Sequence, residues 1–329
     1  MWVITATAIA GCARKVKSTH DDRLIPMMGV LGAFIFTAQM INFSIPATGS
    51  SGHLGGGLLL AILLGPYAAF LVIASILTVQ ALFFADGGIM ALGCNIFNLG
   101  FCPAFIAFPL LYQTIAGENR IGARAWIAAL AAAILGLQLG AFGVVVETQL
   151  SSISELPFRS FILIMQPIHL AIGIVEGVTT ATIIAFVARA RPETLYLSSA
   201  GIGKRRNQHL LLTGWLIASV ILGGVASWFA STHPDGLEWA ISKVSHQNEL
   251  QGSHDGKPEL FAQVQSKTAI LPDYSFPPHT GNPPPEPTST NPAHWPNINA
   301  GKSFSGIVGG FLTLALVLLV GLALKSRQK

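Results

Sequence analysis

Long apolar blocks between clustered charges constrain this chain more than any other feature of its sequence. Only 10% of its 329 residues are charged, whereas a globular domain carries about 25%. A block of about 20 apolar residues, coiled into a helix, spans the roughly 30 Å hydrocarbon core of a bilayer. The short alternating segments that are typical of a membrane β-barrel do not occur. The sequence therefore predicts an all-α fold, a polytopic membrane helix bundle.

Nine apolar segments are candidate membrane crossings. They lie at roughly 1–13, 24–43, 54–64, 67–85, 89–112, 125–147, 160–188, 209–230 and 305–324. The third segment is short, and Gly65-Pro66 separates it from the fourth. We therefore expect about nine spans, with a half-length or tilted helix at the third.

Basic residues flank these segments in three clusters. The clusters are Arg14, Lys15, Lys17 and Arg23; Arg189, Arg191, Lys204, Arg205 and Arg206; and Lys325, Arg327 and Lys329. Nine crossings from an outside N-terminus put all three clusters in the cytoplasm, as the positive-inside rule requires, whereas eight crossings would put two of them outside. We expect a multi-pass protein of a bacterial or archaeal plasma membrane, with its C-terminus in the cytoplasm and no nucleic-acid partner.

The segment 231–304 differs from the rest of the chain because it is rich in Pro, Ser, Asn and His. It has too little apolar surface to fold compactly, so we expect it to be loosely ordered outside the membrane. The chain then divides into a seven-span module (1–195), a basic cytoplasmic linker (196–208) and a two-span module (209–329) that contains this outer loop. The histidines scattered in the loop could gather metal weakly, although such a pattern more often has no specific role. They are His233, His246, His254, His279 and His294.

His53 is the strongest candidate for a functional residue. It follows a glycine-serine stretch at the predicted outer face, where we expect a flexible loop before the next helix. Imidazole is a common ligand of Co²⁺, Ni²⁺ and Zn²⁺. The alternative is a helix-start histidine that is bonded to the backbone.

Other polar residues in or near the spans are candidates because polar groups in a membrane are costly. Asp86 lies in an Asp-Gly turn, where local geometry alone explains it. Asn95 and Asn98 share a helix face and would join helices or orient a ligand. His169 and Glu176 share a stripe that could support a site, contact a partner's helix or pack structurally. The full set of possible supporting residues is Gln39, Asn42, Asp86, Asn95, Asn98, His169 and Glu176.

Motifs of enzymes are missing from the sequence. It has no Gly-x-x-x-x-Gly-Lys-Ser/Thr loop, so ATP would have to be hydrolysed by another subunit. Neither His-Glu-x-x-His nor Gly-x-Ser-x-Gly occurs, so a metalloprotease and a serine hydrolase are not supported. The three cysteines, Cys12, Cys94 and Cys102, lie in apolar segments and predict buried thiols rather than disulfides. We expect no catalytic residues and no resident cofactor.

Several motifs in their order resemble one family, the M-type substrate-capture subunit (CbiM/NikM) of energy-coupling-factor importers for cobalt and nickel. The matching stretches are 38–43 (Ala-Gln-Met-Ile-Asn-Phe), 49–56 (Gly-Ser-Ser-Gly-His-Leu-Gly-Gly), 62–66, 80–83, 86–88 and 92–98 (Leu-Gly-Cys-Asn-Ile-Phe-Asn), followed by His169, Gly173 and Glu176-Gly177. The likeness covers about 1–195. The remainder resembles the N-type partner subunit, marked by Pro234-Asp235-Gly236-Leu237-Glu238.

This resemblance implies uptake of Co²⁺ or Ni²⁺, with cobalt slightly favoured and a link to cobalamin biosynthesis. The implied partners are ATPase subunits and a T-type transmembrane subunit. In the family the metal is held by the N-terminal amine, a histidine at the second position and the histidine that matches His53. This chain opens Met1-Trp2 instead and its first apolar segment is short, so we expect that a segment upstream is missing. His20 lies in a predicted cytoplasmic loop and cannot replace the second histidine.

Two other classes of protein remain as alternatives. A stand-alone secondary transporter or channel for a divalent cation would carry paired charges near the membrane midplane, for which only Glu147 and Glu176 are candidates. A purely structural membrane subunit would leave the stretch around His53 unexplained.

Overall fold

The computed structural model describes residues 1–19, 21, 23–117, 121–151, 156–190, 208–245, 257–276 and 295–326. Its helices are α1 (Trp2–Lys17), α2 (Leu24–Gln39), α3 (Gly57–Leu64), α4 (Pro66–Phe83), α5 (Leu92–Ala116), α6 (Ala123–Ser151), α7 (Phe158–Ala190), α8 (Gln208–Gly224), α9 (Gly236–Ser245), α10 (Lys257–Thr268) and α11 (Ala300–Ser326). Short 3₁₀ turns lie at Ala226–Phe229 and Pro272–Tyr274. A hairpin of β1 (Phe43–Ile45) and β2 (Ser50–Gly52) follows α2.

Each of the nine predicted apolar segments contains a helix, which confirms the polytopic helical fold. Five helices, α4, α5, α6, α7 and α11, are long and apolar enough to cross a membrane. The helices α2 and α8 are apolar but shorter. The third segment forms the eight-residue α3, which ends where Gly65 takes a φ of +82° and Pro66 begins α4. Within α5, residues Phe97–Gln113 have π-type hydrogen bonding and include Pro103 and Pro109.

The centre of the bundle is built around α2 and α4, most of whose side chains are buried. The helices α8 and α11 pack on α2 and on each other, and small residues lie where α8 meets α11. A Cβ added to Gly223 of α8 would lie 3.0 Å from the Cα of Gly306 of α11, so the two backbones are in direct contact. Small residues permit such close approach between membrane helices.

The loop 231–304 is not loosely ordered where the structure describes it, which corrects the sequence-based expectation. It contains α9 and α10, and its backbone bonds to the ends of the first helices. The Ser231 N–H donates to the Asn42 carbonyl at 2.7 Å, and the Leu271 N–H donates to the Phe83 carbonyl at 3.2 Å. These long-range bonds hold the described part of the segment against the bundle.

Several predicted features lie outside the described residues. They are the basic linker 196–208 except for its last residue, His20, and the loop histidines His246, His254, His279 and His294.

Candidate metal-binding site

The stretch before His53 is a hairpin with a buried second strand rather than the flexible loop that the sequence suggested. The strands are antiparallel, with Phe43 opposite Gly52 and Ile45 opposite Ser50. Ser50 and Ser51 are both fully buried. Gly52 allows β2 to approach Ile172 of α7 closely, and the hydroxyls of Ser50 and Ser51 are both hydrogen-bonded. This hairpin holds His53 at one end of the bundle, which we call the hairpin end.

His53 is half-buried between the hairpin and α3. Its Nδ1 lies 3.1 Å from the carbonyl oxygen of Leu54. Because a carbonyl oxygen can only accept, Nδ1 is the donor in this contact, and in the neutral imidazole Nε2 then has a free lone pair. Histidines that bind metals commonly donate their other ring N–H to a backbone carbonyl in this way.

The backbone that follows His53 is held by Glu176 of α7. The Gly55 N–H donates to Oε2 of Glu176 at 2.7 Å, and the Gly56 N–H donates to Oε1 at 3.2 Å. Gly56 has a left-handed backbone with a φ of +75°, which turns both N–H groups toward the carboxylate. Glu176 is only 2% exposed, so it is a buried anchor for the start of α3.

Two glutamines hold the same backbone from the other side. Gln39 of α2 donates from Nε2 to the Gly55 carbonyl at 2.8 Å. Gln80 of α4 donates in turn to Oε1 of Gln39 at 2.9 Å. Both glutamines are buried. The segment after His53 is therefore positioned by side chains from three helices.

A cavity of about 380 Å³ lies beside this segment. Seven of the predicted residues line it, and Glu176 supports its wall through Gly55. The structure thus gathers the whole predicted set at one place. The lining residues from that set are Gln39, Asn42, His53, Asp86, Asn95, Asn98 and His169.

The two asparagines have different partners although they share a helix. Asn98 is buried and donates from Nδ2 to Oε2 of Glu147 at 2.8 Å, which joins α5 to α6. Asn95 donates to the Gly87 carbonyl at 3.0 Å and braces the turn that follows α4. Only Asn98 connects two long helices.

His169 lies on α7, two helical turns before Glu176. Its Nδ1 donates to the Met165 carbonyl at 2.9 Å, one turn back along the helix. Its Nε2 is therefore the ring nitrogen with a free lone pair, as in His53. His53 and His169 line the same cavity.

The sequence-based reasoning missed the residues of the loop 231–304 that close the cavity. Three carboxylates from this loop, Asp235, Glu238 and Asp273, line the cavity together with Asp86 at the hairpin end. The pKa of Glu238 is raised mainly because its carboxyl is partly desolvated and, to a lesser extent, because other carboxylates such as Asp235 lie nearby. Tyr274 donates from its hydroxyl to Asp86, and burial together with this carboxylate raises the pKa of Tyr274. The missed lining residues include Gln80, His233, Asp235, Glu238, Asp273, Tyr274 and Lys302.

The described residues alone do not form a complete metal site. Within them, no group of three or more His, Cys, Asp or Glu side chains is placed to hold an ion. Position 2, a histidine in the family that the sequence resembles, is Trp2, whose indole N–H donates to the Met90 carbonyl at 3.2 Å. Cys12 and Cys102 are buried free thiols, as the sequence predicted, whereas the free thiol Cys94 is only half-buried.

Comparison with known families divides the chain into two matched regions. Residues 1–194 match the model of the cobalt uptake substrate-specific transmembrane region, CbiM. Residues 209–326 match the model of the PDGLE domain. We refer to these ranges as the CbiM region and the PDGLE region.

Individual relatives are named as nickel or cobalt transport proteins. The chain is 35% identical over 200 residues to a relative from Archaeoglobus fulgidus that is named as a fused nickel transport protein, NikMN. The alignment covers 61% of this chain and 65% of the relative, which is just under two thirds of its length. It is 31% identical over 199 residues to the cobalt transport protein CbiM of Sorangium cellulosum, covering 57% of this chain and 84% of that one.

A solved crystal structure of a transition metal transporter superposes with a TM-score of 0.52 at 28% identity. The superposition covers 61% of this chain and 93% of the transporter. The family match, the relatives and the helical fold agree with one another. The chain therefore belongs to the CbiM family of multi-pass cobalt and nickel transport proteins, and it carries a PDGLE domain after its CbiM region.

Proposed function

We propose that this chain is the membrane subunit that binds Co²⁺ or Ni²⁺ for an ATP-driven importer of the energy-coupling-factor type. The single observation that supports this best is the environment of His53. Its imidazole lines a cavity, has its Nδ1 proton committed to the Leu54 carbonyl, and is followed by a backbone held from three helices. A ligand with one free nitrogen in a rigid setting suits a borderline divalent ion.

The surroundings of His53 support selection for such ions. Imidazole nitrogen suits Co²⁺ and Ni²⁺, whereas Mg²⁺ and Ca²⁺ prefer oxygen ligands. The other carboxylates at the hairpin end, Asp86, Glu238 and Asp273, would raise the local concentration of cations. In this proposal Glu176, Gln39 and Gln80 do not touch the metal but hold the segment that presents His53.

Calorimetric titration with Co²⁺ in detergent tests the role of His53. We expect His53→Ala to lower the affinity at least ten-fold, about 1.4 kcal/mol, because a ligand is lost. His209→Ala removes an exposed histidine of α8 and should leave the affinity unchanged. If His53→Ala binds Co²⁺ as the parent does, the proposed site is wrong. Competition with Ni²⁺ in the same titration ranks the two ions.

Energy coupling would come from other chains, because this sequence has no phosphate-binding loop. We propose ATPase subunits and a T-type transmembrane subunit as the partners. Metal accumulation in cells should therefore require co-expression of all three kinds of subunit. Robust accumulation by this chain alone would favour a secondary transporter or channel instead.

A further inference from the structure

The Pro-Asp-Gly-Leu-Glu motif at 234–238 forms a rigid turn that begins α9. Oδ1 of Asp235 accepts the Glu238 N–H at 2.8 Å, and Oε2 of Glu238 faces the Asp235 N–H at 3.4 Å. This reciprocal pair is a capping box, which satisfies backbone donors at the start of a helix. The turn therefore has a defined shape that it can present to its neighbours.

One side of the turn binds the strand that leads to His53. The Ser51 N–H donates to the Pro234 carbonyl at 2.7 Å, and Oγ of Ser51 donates to the His233 carbonyl at 2.8 Å. Ser51 is fully buried and precedes His53 by two residues. The free edge of β2 is thus occupied by backbone from the PDGLE region.

The other side of the turn packs on α7. A Cβ added to Gly236 would lie 2.7 Å from Cγ2 of Ile168, 3.5 Å from Cδ1 of Ile172 and 3.6 Å from Cε1 of His169. Ile168 is buried, and its branched methyl has little freedom to move. Glycine is therefore required at 236 for the turn to reach α7.

The helix that follows reinforces this contact. Ala240 of α9 is fully buried in a cluster with Ala141, Val145 and Met165 of α6 and α7. The turn is consequently fixed to the hairpin through hydrogen bonds and to α7 through apolar packing.

We propose that the turn 233–238 is a positioning element, which sets His53 for metal binding by holding β2 against α7. Asp235 and Gly236 act through the shape of the turn and not as ligands. This inference rests on the proposed function of His53 and assigns a role to the motif for which the PDGLE region is named.

Four variants of the full chain, titrated with Co²⁺ in detergent, test the proposal. Asp235→Ala breaks the cap and should lower the Co²⁺ affinity about five-fold, whereas Asp235→Asn should restore it because asparagine caps as well as aspartate. Gly236→Ala should lower the affinity at least as much as Asp235→Ala, because its Cβ meets Ile168. Gly214→Ala, at a glycine of α8 with no atom within 4 Å of the added Cβ, should match the parent.

The visible absorption spectrum of bound Co²⁺ gives a second readout that depends on ligand geometry. We expect its bands to shift in Asp235→Ala and Gly236→Ala and to stay in place in Asp235→Asn. Parent-like affinity and spectra in the first two variants would overturn the proposal while leaving His53 as a ligand. A loss in Asp235→Asn equal to that in Asp235→Ala would also overturn it, because the carboxylate would then act on the cation directly.

Two comparisons keep the test interpretable. Parent-like binding by His53→Ala would refute the proposed function itself, which separates the two failures. If Asp235→Ala or Gly236→Ala does not fold, Ser51→Ala removes only the hydroxyl that donates to the carbonyls of His233, at 2.8 Å, and Pro234, at 3.2 Å. We expect a two- to three-fold loss of affinity in Ser51→Ala, and parent affinity there would overturn the proposal.

Discussion

At the scale of single residues, Glu176 shows how an ionisable group is accommodated inside the bundle. A buried carboxylate is costly unless its oxygens accept hydrogen bonds. Both oxygens of Glu176 do so, from consecutive backbone N–H groups at Gly55 and Gly56. The residue therefore stabilises the fold and fixes the backbone that follows His53 with the same two bonds.

The substitution Glu176→Gln should separate the contribution of these two hydrogen bonds from that of burying the side chain, because glutamine has nearly the same size. The amide has one acceptor oxygen, so its NH₂ group would face a backbone N–H and one bond would be lost. We expect the free energy of unfolding to fall by about 1–3 kcal/mol, with a weaker affinity for Co²⁺. Thermal melting and calorimetry in detergent measure the two effects. Glu259→Gln, at an exposed position of α10, is the control, and equal behaviour of the two variants would contradict the assignment.

At the scale of elements, the packing of α6 on α7 depends on small residues. A Cβ added to Gly177 would lie 2.7 Å from the Cα of Leu130, and one added to Gly173 would lie 3.0 Å from the Cα of Ile134. The helix backbones therefore touch, which provides van der Waals contact where the bilayer offers no hydrophobic driving force. The same contact places Glu176 opposite the start of α3.

Gly177→Ala should push α7 away from α6. Because the clash is with backbone and not with a flexible side chain, we expect a loss of about 1–3 kcal/mol in stability, seen as a lower melting temperature in detergent. Gly11→Ala, in α1 where no atom lies within 4 Å of the new Cβ, should be neutral or stabilising because alanine favours helix. Similar melting temperatures in both variants would show that the contact is not tight.

At the scale of the whole molecule, the PDGLE region completes the cavity of the CbiM region. The helices α8 and α11 pack on α2, and the loop between them contributes Ser231, Asp235 and Tyr274 to the hairpin end. The cavity walls therefore come from both matched regions of the chain. We propose that the hairpin end faces the outside of the cell.

Cysteine labelling tests this orientation. Ser266 of α10 and Ser18 after α1 are both exposed and lie at sites predicted to be on opposite sides of the membrane. An impermeant maleimide applied to intact cells should label Ser266→Cys and not Ser18→Cys, because the positive cluster near Ser18 is predicted to be cytoplasmic. The parent, with two buried cysteines and the half-buried Cys94, gives the background. Labelling of Ser18→Cys alone would invert the orientation.

The helices could be predicted from the sequence because their cause is local. An apolar block satisfies its backbone by coiling, and Gly65-Pro66 interrupts the coil at the residues themselves. His53 and its supporting residues could also be named, since a polar group in an apolar setting is conspicuous. The hydrogen-bond partners of these residues could not be predicted. Glu176 accepts a hydrogen bond from Gly55, which lies 121 positions away in the chain, and local sequence patterns do not report such distant contacts.

Tertiary structure alone decided how the polar segments fold. Ser50 and Ser51 before His53 form a buried strand, and the described part of the loop 231–304 contains helices. Hydrogen bonds from Ser51 to the carbonyls of His233 and Pro234 join the two segments. Asp235-Gly236 has the pattern of an ordinary turn in the sequence, yet Gly236 proves necessary only when Ile168 lies beside it. Apolar length determined where the chain crosses the bilayer, since transfer of each segment is independent of its neighbours. The position and the lining of the cavity were decided by close approach between backbone segments that are distant in the sequence, because the cavity exists only after the helices have packed.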